Sequence, residues 1–242
     1  MRYLRILSLA AVFMAAVNGL QAQTLQEILD RYTQAMGGAD KLSAIRTQYS
    51  EGVMIAREME VPIRRWVKQG QALRVEFDAL NTKNIQVVTP TGGWQYLPVA
   101  HKTEVEELDP AVRTFIKSQL DVTGELFNVE AKGKKVEFIG KDTANGAPAY
   151  KLKVYTADSL SALVYLDAKT CFIVKAVNFI EYMGARTELV TILSDYRHTP
   201  EGYAYAATTE QTPIGSGMKI HLTRVEINKP IADELFERPK GK

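Results

Sequence analysis

Cysteine is nearly absent from this sequence, because Cys171 is the only one among 242 residues. A single cysteine cannot form a disulfide within its own chain, so no disulfide framework holds the fold together. Cys171 stands in the apolar run TCFIVKAV, which predicts a buried small hydrophobic side chain. A reactive thiol is the alternative interpretation.

The sequence also lacks the short motifs that mark most catalytic and cofactor sites. It contains no HExxH, GxSxG, GxGxxG or GxxxxGK[ST] segment. The three histidines, His101, His198 and His221, are far apart and do not have the spacing of metal ligands. We therefore expect no metal, no cofactor and no enzymatic activity. The sequence does not exclude a pair of catalytic carboxylates, because the distance between them depends on the fold and not on their spacing along the chain.

An excess of charge of one sign is missing as well. The chain has 30 Lys and Arg residues against 28 Asp and Glu residues. Nucleic acid binding requires a basic face that neutralises phosphates, so this balance argues against a nucleic acid partner.

The longest apolar run lies at the N terminus, in MRYLRILSLAAVFMAAVNGLQAQ. Arg2 and Arg5 precede an apolar stretch of roughly a dozen residues, shorter than the ~20 needed to span a membrane. This predicts a signal peptide over residues 1–22, cleaved after Ala22, and export to the periplasm. An uncleaved membrane anchor is the alternative. No linker or repeat divides residues 23–242, which we expect to form one domain.

Two short helical patterns follow, separated by adjacent glycines. Thr24 and Glu27 have the spacing of a capping box, and an apolar stripe runs from Leu25 to Met36. Gly37 or Gly38 can adopt the left-handed conformation that ends such a helix. The segment ADKLSAI then predicts a second helix, too short to be stable in water unless it packs on an apolar surface.

From Thr47 onward the apolar residues recur with a period of two, which is typical of β-strands. In QALRVEFDA this places Leu73, Val75 and Phe77 on one face. The connectors are short and rich in turn residues, and therefore predict antiparallel hairpins. Further strand-like segments are KNIQVVTP, GWQYLPV, PAYKLKVYT, SALVYLDA, CFIVKAVNFIEYM, RTELVTILSDYRH, YAYAATTEQ and MKIHLTRVEI.

One helical insertion interrupts the strands. Asp109 and Pro110 supply an N-cap and a proline at the first helical position, and an apolar stripe follows from Val112 to Leu120. We interpret the preceding TEVEELD as a solvated acidic approach to this helix, and DVTGELFN as a further helical turn or two. The whole pattern predicts an α+β fold, a large antiparallel sheet with helical segments on one face.

Several strands are apolar on both faces, among them CFIVKAV, TELVTIL and SALVYL. An open sheet that packs on only one face exposes the other face to solvent, and that face should carry polar residues. Apolarity on both faces fits a sheet curled into a partial barrel, a sheet whose concave face holds an apolar ligand, or a plain sandwich. The pattern alone does not choose among these.

Three segments resemble a known family, in matching order. They are AMGGADKLSAIRTQYSEG at 35–52, TPTGGWQYLPV at 89–99 and VEINKPIADELFERP at 225–239. They resemble segments of outer-membrane lipoprotein-sorting proteins, in the LolA/LolB-like lipoprotein-carrier superfamily. The resemblance implies a strongly curved, unclosed antiparallel β-barrel whose concave face is covered by short helices, with an apolar cavity between them.

The resemblance further implies a non-enzymatic periplasmic protein that holds a lipid or the acyl chain of a lipoprotein, with envelope membrane proteins as further partners. The alternative is an envelope sensor or interaction domain of the same fold that binds a protein. Any single aromatic residue could equally belong to an ordinary core. The candidate lipid contacts are apolar and aromatic residues of the strands and middle helix: Trp66, Leu73, Val75, Phe77, Trp94, Tyr96, Phe115, Ile116 and Phe179.

Overall fold

The computed structural model describes residues 24–56, 59–108, 110–155, 161–182, 185–212 and 217–239. The predicted signal peptide over residues 1–22 and the predicted N-cap Asp109 lie outside them. Contacts group the chain into two compact units. Unit I comprises the residues up to Ala35 together with Leu126–Glu188, and unit II comprises Met36–Glu125 and Leu189–Lys242.

The described residues contain thirteen strands, whose hydrogen-bonded neighbours run in the order β6-β5-β4-β3-β2-β1-β13-β12-β11-β10-β9-β8-β7, so that β6 and β7 are the two edges of an unclosed sheet. The predicted fold class is confirmed: an α+β fold with an unclosed antiparallel sheet and short helices. The strands are β1 Thr47–Ala56, β2 Met59–Lys68, β3 Ala72–Ala79, β4 Thr82–Val88, β5 Gly93–Leu97, β6 Lys102–Glu107, β7 Lys135–Ala144, β8 Ala147–Tyr155, β9 Ser161–Asp167, β10 Ile173–Tyr182, β11 Ala185–His198, β12 Ala204–Thr212 and β13 Met218–Ile227.

Unit I combines the first helix, α1 (residues 24–35), with β7 to β10. The apolar stripe of α1 is buried, with Ile28 and Tyr32 each 2% exposed. Arg31 of α1 donates hydrogen bonds to the hydroxyl of Tyr150 at 3.3 Å and to the carbonyl of Ala168 at 3.2 Å. These contacts fix the helix on β8 and on the turn after β9.

Cys171 lies in this same β9–β10 turn and is buried, as predicted. Burial raises the pKa of its thiol, which keeps the thiol protonated at neutral pH.

Unit II contains α2 (Ala39–Ser43) and α3 (Pro110–Lys117). The glycine pair ends the first helix as predicted: α1 stops at residue 35, and Gly37 and Gly38 have φ angles of 127° and 91°. The backbone also passes so close to the β11–β12 turn that a Cβ on Gly37 would lie 2.9 Å from the carbonyl oxygen of Gly202. Two requirements, a positive φ and a close approach, therefore select glycine at position 37.

Two local predictions around α3 are wrong. The acidic segment before it is not simply a solvated approach to the helix, because Lys102–Glu107 forms the edge strand β6, which pairs with β5 as Gln95 does with Glu106. The segment DVTGELFN is not helical: a 3₁₀ turn at Ser118–Leu120 is followed by a turn in which the Asp121 carboxylate accepts hydrogen bonds from the backbone and hydroxyl of Thr123, at 3.1 and 2.7 Å. Such side-chain bonds compete with a helix.

Candidate functional site

An apolar row across three strands is the centre of unit II. Val67 of β2 lies opposite Leu73 of β3, which lies opposite Val88 of β4. All three are buried and cluster with Leu108 and Leu120. Four half-buried aliphatic side chains pack against this cluster, namely Val75 on β3, Val112 and Ile116 on α3, and Val122. We call the sheet face that carries this row the covered face, and α2, α3 and residues 118–122 its cover.

The second helix covers the neighbouring part of the same face. Leu42 and Ile45 are each 2% exposed. They line a narrow cavity with Val225 and Ile227 of β13, and with Val122 of the cover. The space available in this cavity is about 20 Å³, which is room for roughly one water molecule. Beneath α2 the covered face is therefore closed, and the apolar cavity that the resemblance implied is not found there among the described residues. A lipid chain can reach this part of the face only if the cover moves.

Polar contacts at the β2–β3 turn and at the end of α2 help to hold the cover in place. Gln69, in the β2–β3 turn, accepts a hydrogen bond from the backbone of Val122 at 2.8 Å and donates one to Asp121 at 3.0 Å. The backbone nitrogen of Gly70 donates to the carbonyl of Leu120 at 2.9 Å. Asn228 links the end of α2 to β13, since its side-chain amide donates to the carbonyl of Ala44 at 3.1 Å.

Polar residues interrupt the covered face, among them Arg65 and Ser50, which the sequence pattern did not predict. Arg65 of β2 lies opposite Ser50 of β1. The guanidinium of Arg65 donates to the side-chain oxygen of Gln119, on the cover, at 2.9 Å. The hydroxyl oxygen of Ser50 is buried and has no hydrogen-bond partner. One signal could have found Arg65: it lies in phase with the apolar alternation of Val61, Ile63 and Val67, whereas Arg64 does not.

Burial lowers the pKa of Arg65, because desolvation disfavours its charged form.

The structure distributes the predicted contacts over two faces. Leu73, Val75 and Phe77 lie on the covered face, and Ile116 packs on it from α3. Trp66 and Trp94 belong to a different row, Trp66–Arg74–Val87–Trp94, on the opposite face, and strand alternation places Tyr96 there too. Phe179 lies on β10 in unit I, and the side chain of Phe115 lies outside the described part.

The opposite face is occupied by the C-terminal segment. The indole nitrogen of Trp94 donates to the carbonyl of Phe236 at 3.0 Å, and Arg74 donates to the carbonyl of Leu235 at 2.7 Å. An open hollow of about 500 Å³ lies beside them, lined by both apolar and charged side chains, including Ile85 and Arg238.

The charged groups of the opposite face neutralise each other. Glu76, the one buried acidic residue among those described, accepts a hydrogen bond from Arg74 at 2.5 Å and lies 3.6 Å from both Arg64 and Lys83. A carboxylate surrounded by three cations suits a structural ion pair better than a general base. Among the described residues no group of His, Cys, Asp and Glu side chains is placed to hold a metal ion.

Comparison with known proteins defines the class of fold. No protein-family model and no curated protein sequence matches the chain. Among solved structures, a DUF1329 family protein from Desulfovibrio piger is 14% identical, with a TM-score of 0.60 over 88% of this chain and 96% of that one. A LolA superfamily protein from Nitrosomonas europaea is 10% identical, with a TM-score of 0.59 over 88% and 97%.

A third similar structure is a domain from Vibrio parahaemolyticus provisionally assigned to outer membrane lipoprotein sorting. It is 16% identical, with a TM-score of 0.53 over 78% of this chain and 88% of that one. At these identities the likeness establishes a shared fold. The resemblance indicated by the sequence is thus confirmed at the level of the fold, and the function is a separate question. No helix among the described residues combines the length and the apolarity needed to cross a membrane.

Proposed function

We propose that this protein is a non-enzymatic binding protein of the bacterial envelope that holds the acyl chain of a lipid or lipoprotein on the covered face of unit II. The observation that carries the proposal is the apolar row Val67–Leu73–Val88 beneath a cover of short segments. An apolar surface binds hydrocarbon without any catalytic group. The fold shared with a LolA superfamily protein supports this proposal.

The free energy gained by burying an acyl chain can be compared with the cost of lifting the cover. Burying ten methylenes contributes about 8 kcal/mol at about 0.8 kcal/mol each. Lifting the cover exposes five aliphatic side chains, Leu42, Val112, Ile116, Leu120 and Val122. At 1.5–3 kcal/mol each this costs about 8–15 kcal/mol. Because the two quantities are comparable, an acyl chain can take the place of the cover. The cover can also close again when the chain leaves.

The proposed location follows from the N-terminal sequence. A protein exported to the periplasm by a cleavable signal peptide would meet lipids and lipoproteins in transit between the two membranes. The most specific form of the proposal is a carrier for lipoprotein sorting.

The test is lipid binding by the purified protein. Protein isolated gently from its own envelope should carry extractable lipid, and delipidated protein should take up a fluorescent fatty acid. Val75→Gln and Ile85→Gln form a matched pair, because both replace half-buried aliphatic residues on neighbouring strands but on opposite faces. We expect Val75→Gln to weaken uptake at least 10-fold and Ile85→Gln to leave it unchanged. Lipid-free protein that takes up no fatty acid would contradict the proposal.

A second candidate function is an envelope interaction domain that binds another protein. The open hollow beside Trp94 favours it, since its mixture of apolar and charged walls suits a peptide better than a hydrocarbon chain. A stoichiometric protein partner in an envelope pull-down, lost in Ile85→Gln and retained in Val75→Gln, would support this function instead.

A further inference from the structure

A row of polar residues crosses the covered face next to the apolar row. From β1 to β6, successive strands contribute opposed residues in the order Ser50, Arg65, Val75, Gln86, Gln95 and Glu106. The far end of the row is internally bonded: Gln86 donates to Gln95 at 3.4 Å, and Gln95 donates to Glu106 at 2.7 Å. The near end, at Ser50 and Arg65, is not.

The near end has unused hydrogen-bonding capacity. Ser50 is 1% exposed and its hydroxyl has no partner. Arg65 has a guanidinium with five N–H donors, and its side chain makes one hydrogen bond, to the neutral amide of Gln119. Within the part of the chain that the structure describes, neither residue is paired with a carboxylate. Cross-strand neighbours have Cβ atoms about 5 Å apart, so both side chains can reach one bound group.

The adjacent arginine, Arg64, has the carboxylate partners that Arg65 lacks among the described residues. Arg64, on the opposite face of the same strand, donates to Asp78 at 3.0 Å and lies 3.6 Å from Glu76. Arg65 has no such acidic partner. A desolvated cation without an anion is costly, as is a buried hydroxyl without a partner. Desolvation has lowered the pKa of Arg65, which is consistent with a missing counter-charge.

We propose that Arg65 and Ser50 form a head-group subsite that binds the oxyanion at the end of an aliphatic chain, with the guanidinium donating two parallel hydrogen bonds and the Ser50 hydroxyl a third. This inference rests on the proposed function and specifies its ligand class. A guanidinium matches the planar geometry of a carboxylate and also binds phosphate. The hydrocarbon chain lies along Val67, Leu73 and Val88, which occupy the neighbouring row.

The subsite also couples binding to opening. Gln119 belongs to the 3₁₀ turn of the cover. In the closed state its side-chain oxygen accepts a hydrogen bond from the guanidinium of Arg65. An incoming oxyanion that takes the N–H donor now bonded to Gln119 replaces a neutral acceptor with a charged one and so releases one contact of the cover. A charge-assisted hydrogen bond is roughly twice as strong as a neutral one, so the exchange favours the ligand.

The experiment compares three ligands of equal chain length: palmitate, hexadecyl phosphate and hexadecanol. The variants are Arg65→Met and Ser50→Ala, with Arg64→Met as the control on the same strand but the opposite face. Affinity is measured by displacement of a fluorescent fatty acid, and thermal unfolding without ligand checks folding. Replacing the half-buried Arg65 guanidinium, which has no ion-pair partner among the described residues, or the unpartnered Ser50 hydroxyl by an apolar group should not destabilise the free protein.

We expect the protein to bind palmitate, hexadecyl phosphate or both at least 10-fold more tightly than hexadecanol. The stronger of the two identifies the head group as carboxylate or phosphate. Arg65→Met should remove this preference, Ser50→Ala should reduce it several-fold, and Arg64→Met should preserve it. Equal binding of all three ligands, unaffected by Arg65→Met, would overturn the subsite and leave the acyl-binding function standing. Binding of none of them would overturn both.

Discussion

Truncation of Leu42, in the short helix α2, measures how strongly the cover holds the covered face closed. Leu42 is 2% exposed and borders the narrow cavity under α2. Leu42→Ala removes three carbon atoms, worth about 2.4 kcal/mol at about 0.8 kcal/mol each. With the residual cavity, the free energy of unfolding should fall by about 3 kcal/mol, within the range of about 2–5 kcal/mol for such substitutions.

The same loss should increase the apparent affinity for an acyl chain. Leu42 loses its contacts when the cover opens, so truncation destabilises the closed state more than the open state. When only the open state binds, the apparent dissociation constant equals the intrinsic one divided by the open fraction. A 3 kcal/mol shift therefore lowers the apparent dissociation constant for palmitate by up to about 100-fold, at 1.4 kcal/mol per tenfold.

The control is Leu152→Ala in β8 of unit I, which truncates an equally buried leucine that is not part of unit II. It should lower stability by a similar amount and leave palmitate affinity unchanged. Urea unfolding gives the stability of each variant, and fluorescent fatty acid displacement gives the affinity. If Leu42→Ala and Leu152→Ala both leave the affinity unchanged, opening of α2 does not limit binding and the reasoning is refuted.

Two further predictions concern local structure. Gly37→Ala should lower the free energy of unfolding by about 1–3 kcal/mol, seen as a lower urea midpoint. The reason is that Gly37 has a φ of 127° and that the new Cβ would lie 2.9 Å from the carbonyl oxygen of Gly202. The control Gly70→Ala should cost less, because Gly70 has a φ of 68° and open space around it. Burial, helped by a hydrogen bond to Glu51, raises the pKa of Tyr49 to about 12. The difference between the ultraviolet titrations of the wild-type protein and Tyr49→Phe should show a step near pH 12, and a difference step near pH 10 would contradict this. Since this folded pKa lies above the unfolded value of about 10, the stabilisation is complete below pH 10 and is lost as the pH rises through 12.

The sequence predicted most strands because the apolar alternation within each strand depends only on that strand's own residues. Leu73, Val75 and Phe77 share a face for this reason, as predicted. β6 was missed because its residues are mostly charged, and an exposed edge strand has little apolar signal. The helical turns predicted after α3 do not form, because the Asp121 side chain makes hydrogen bonds that favour a turn. The spacing of apolar residues gives no sign of these hydrogen bonds.

The candidate site was harder to predict, because it depends on register between strands. Trp66 and Trp94 were grouped with Leu73 for their apolar character, yet cross-strand pairing puts them in a row with Arg74 on the opposite face. Conversely, Arg65 carries a charge and was passed over. Residue type suggests which side chains suit a lipid, whereas only the pairing of strands shows which of them meet.

Cross-linking with a photoactivatable palmitate analogue tests the central claim most directly, when the adducts are mapped to single residues by fragmentation mass spectrometry. The account predicts adducts on the covered face and its cover, at Val67, Leu73, Val75, Ile116 and Val122. Adducts concentrated at Trp66 and Trp94 on the opposite face, or their complete absence from unit II, would contradict it.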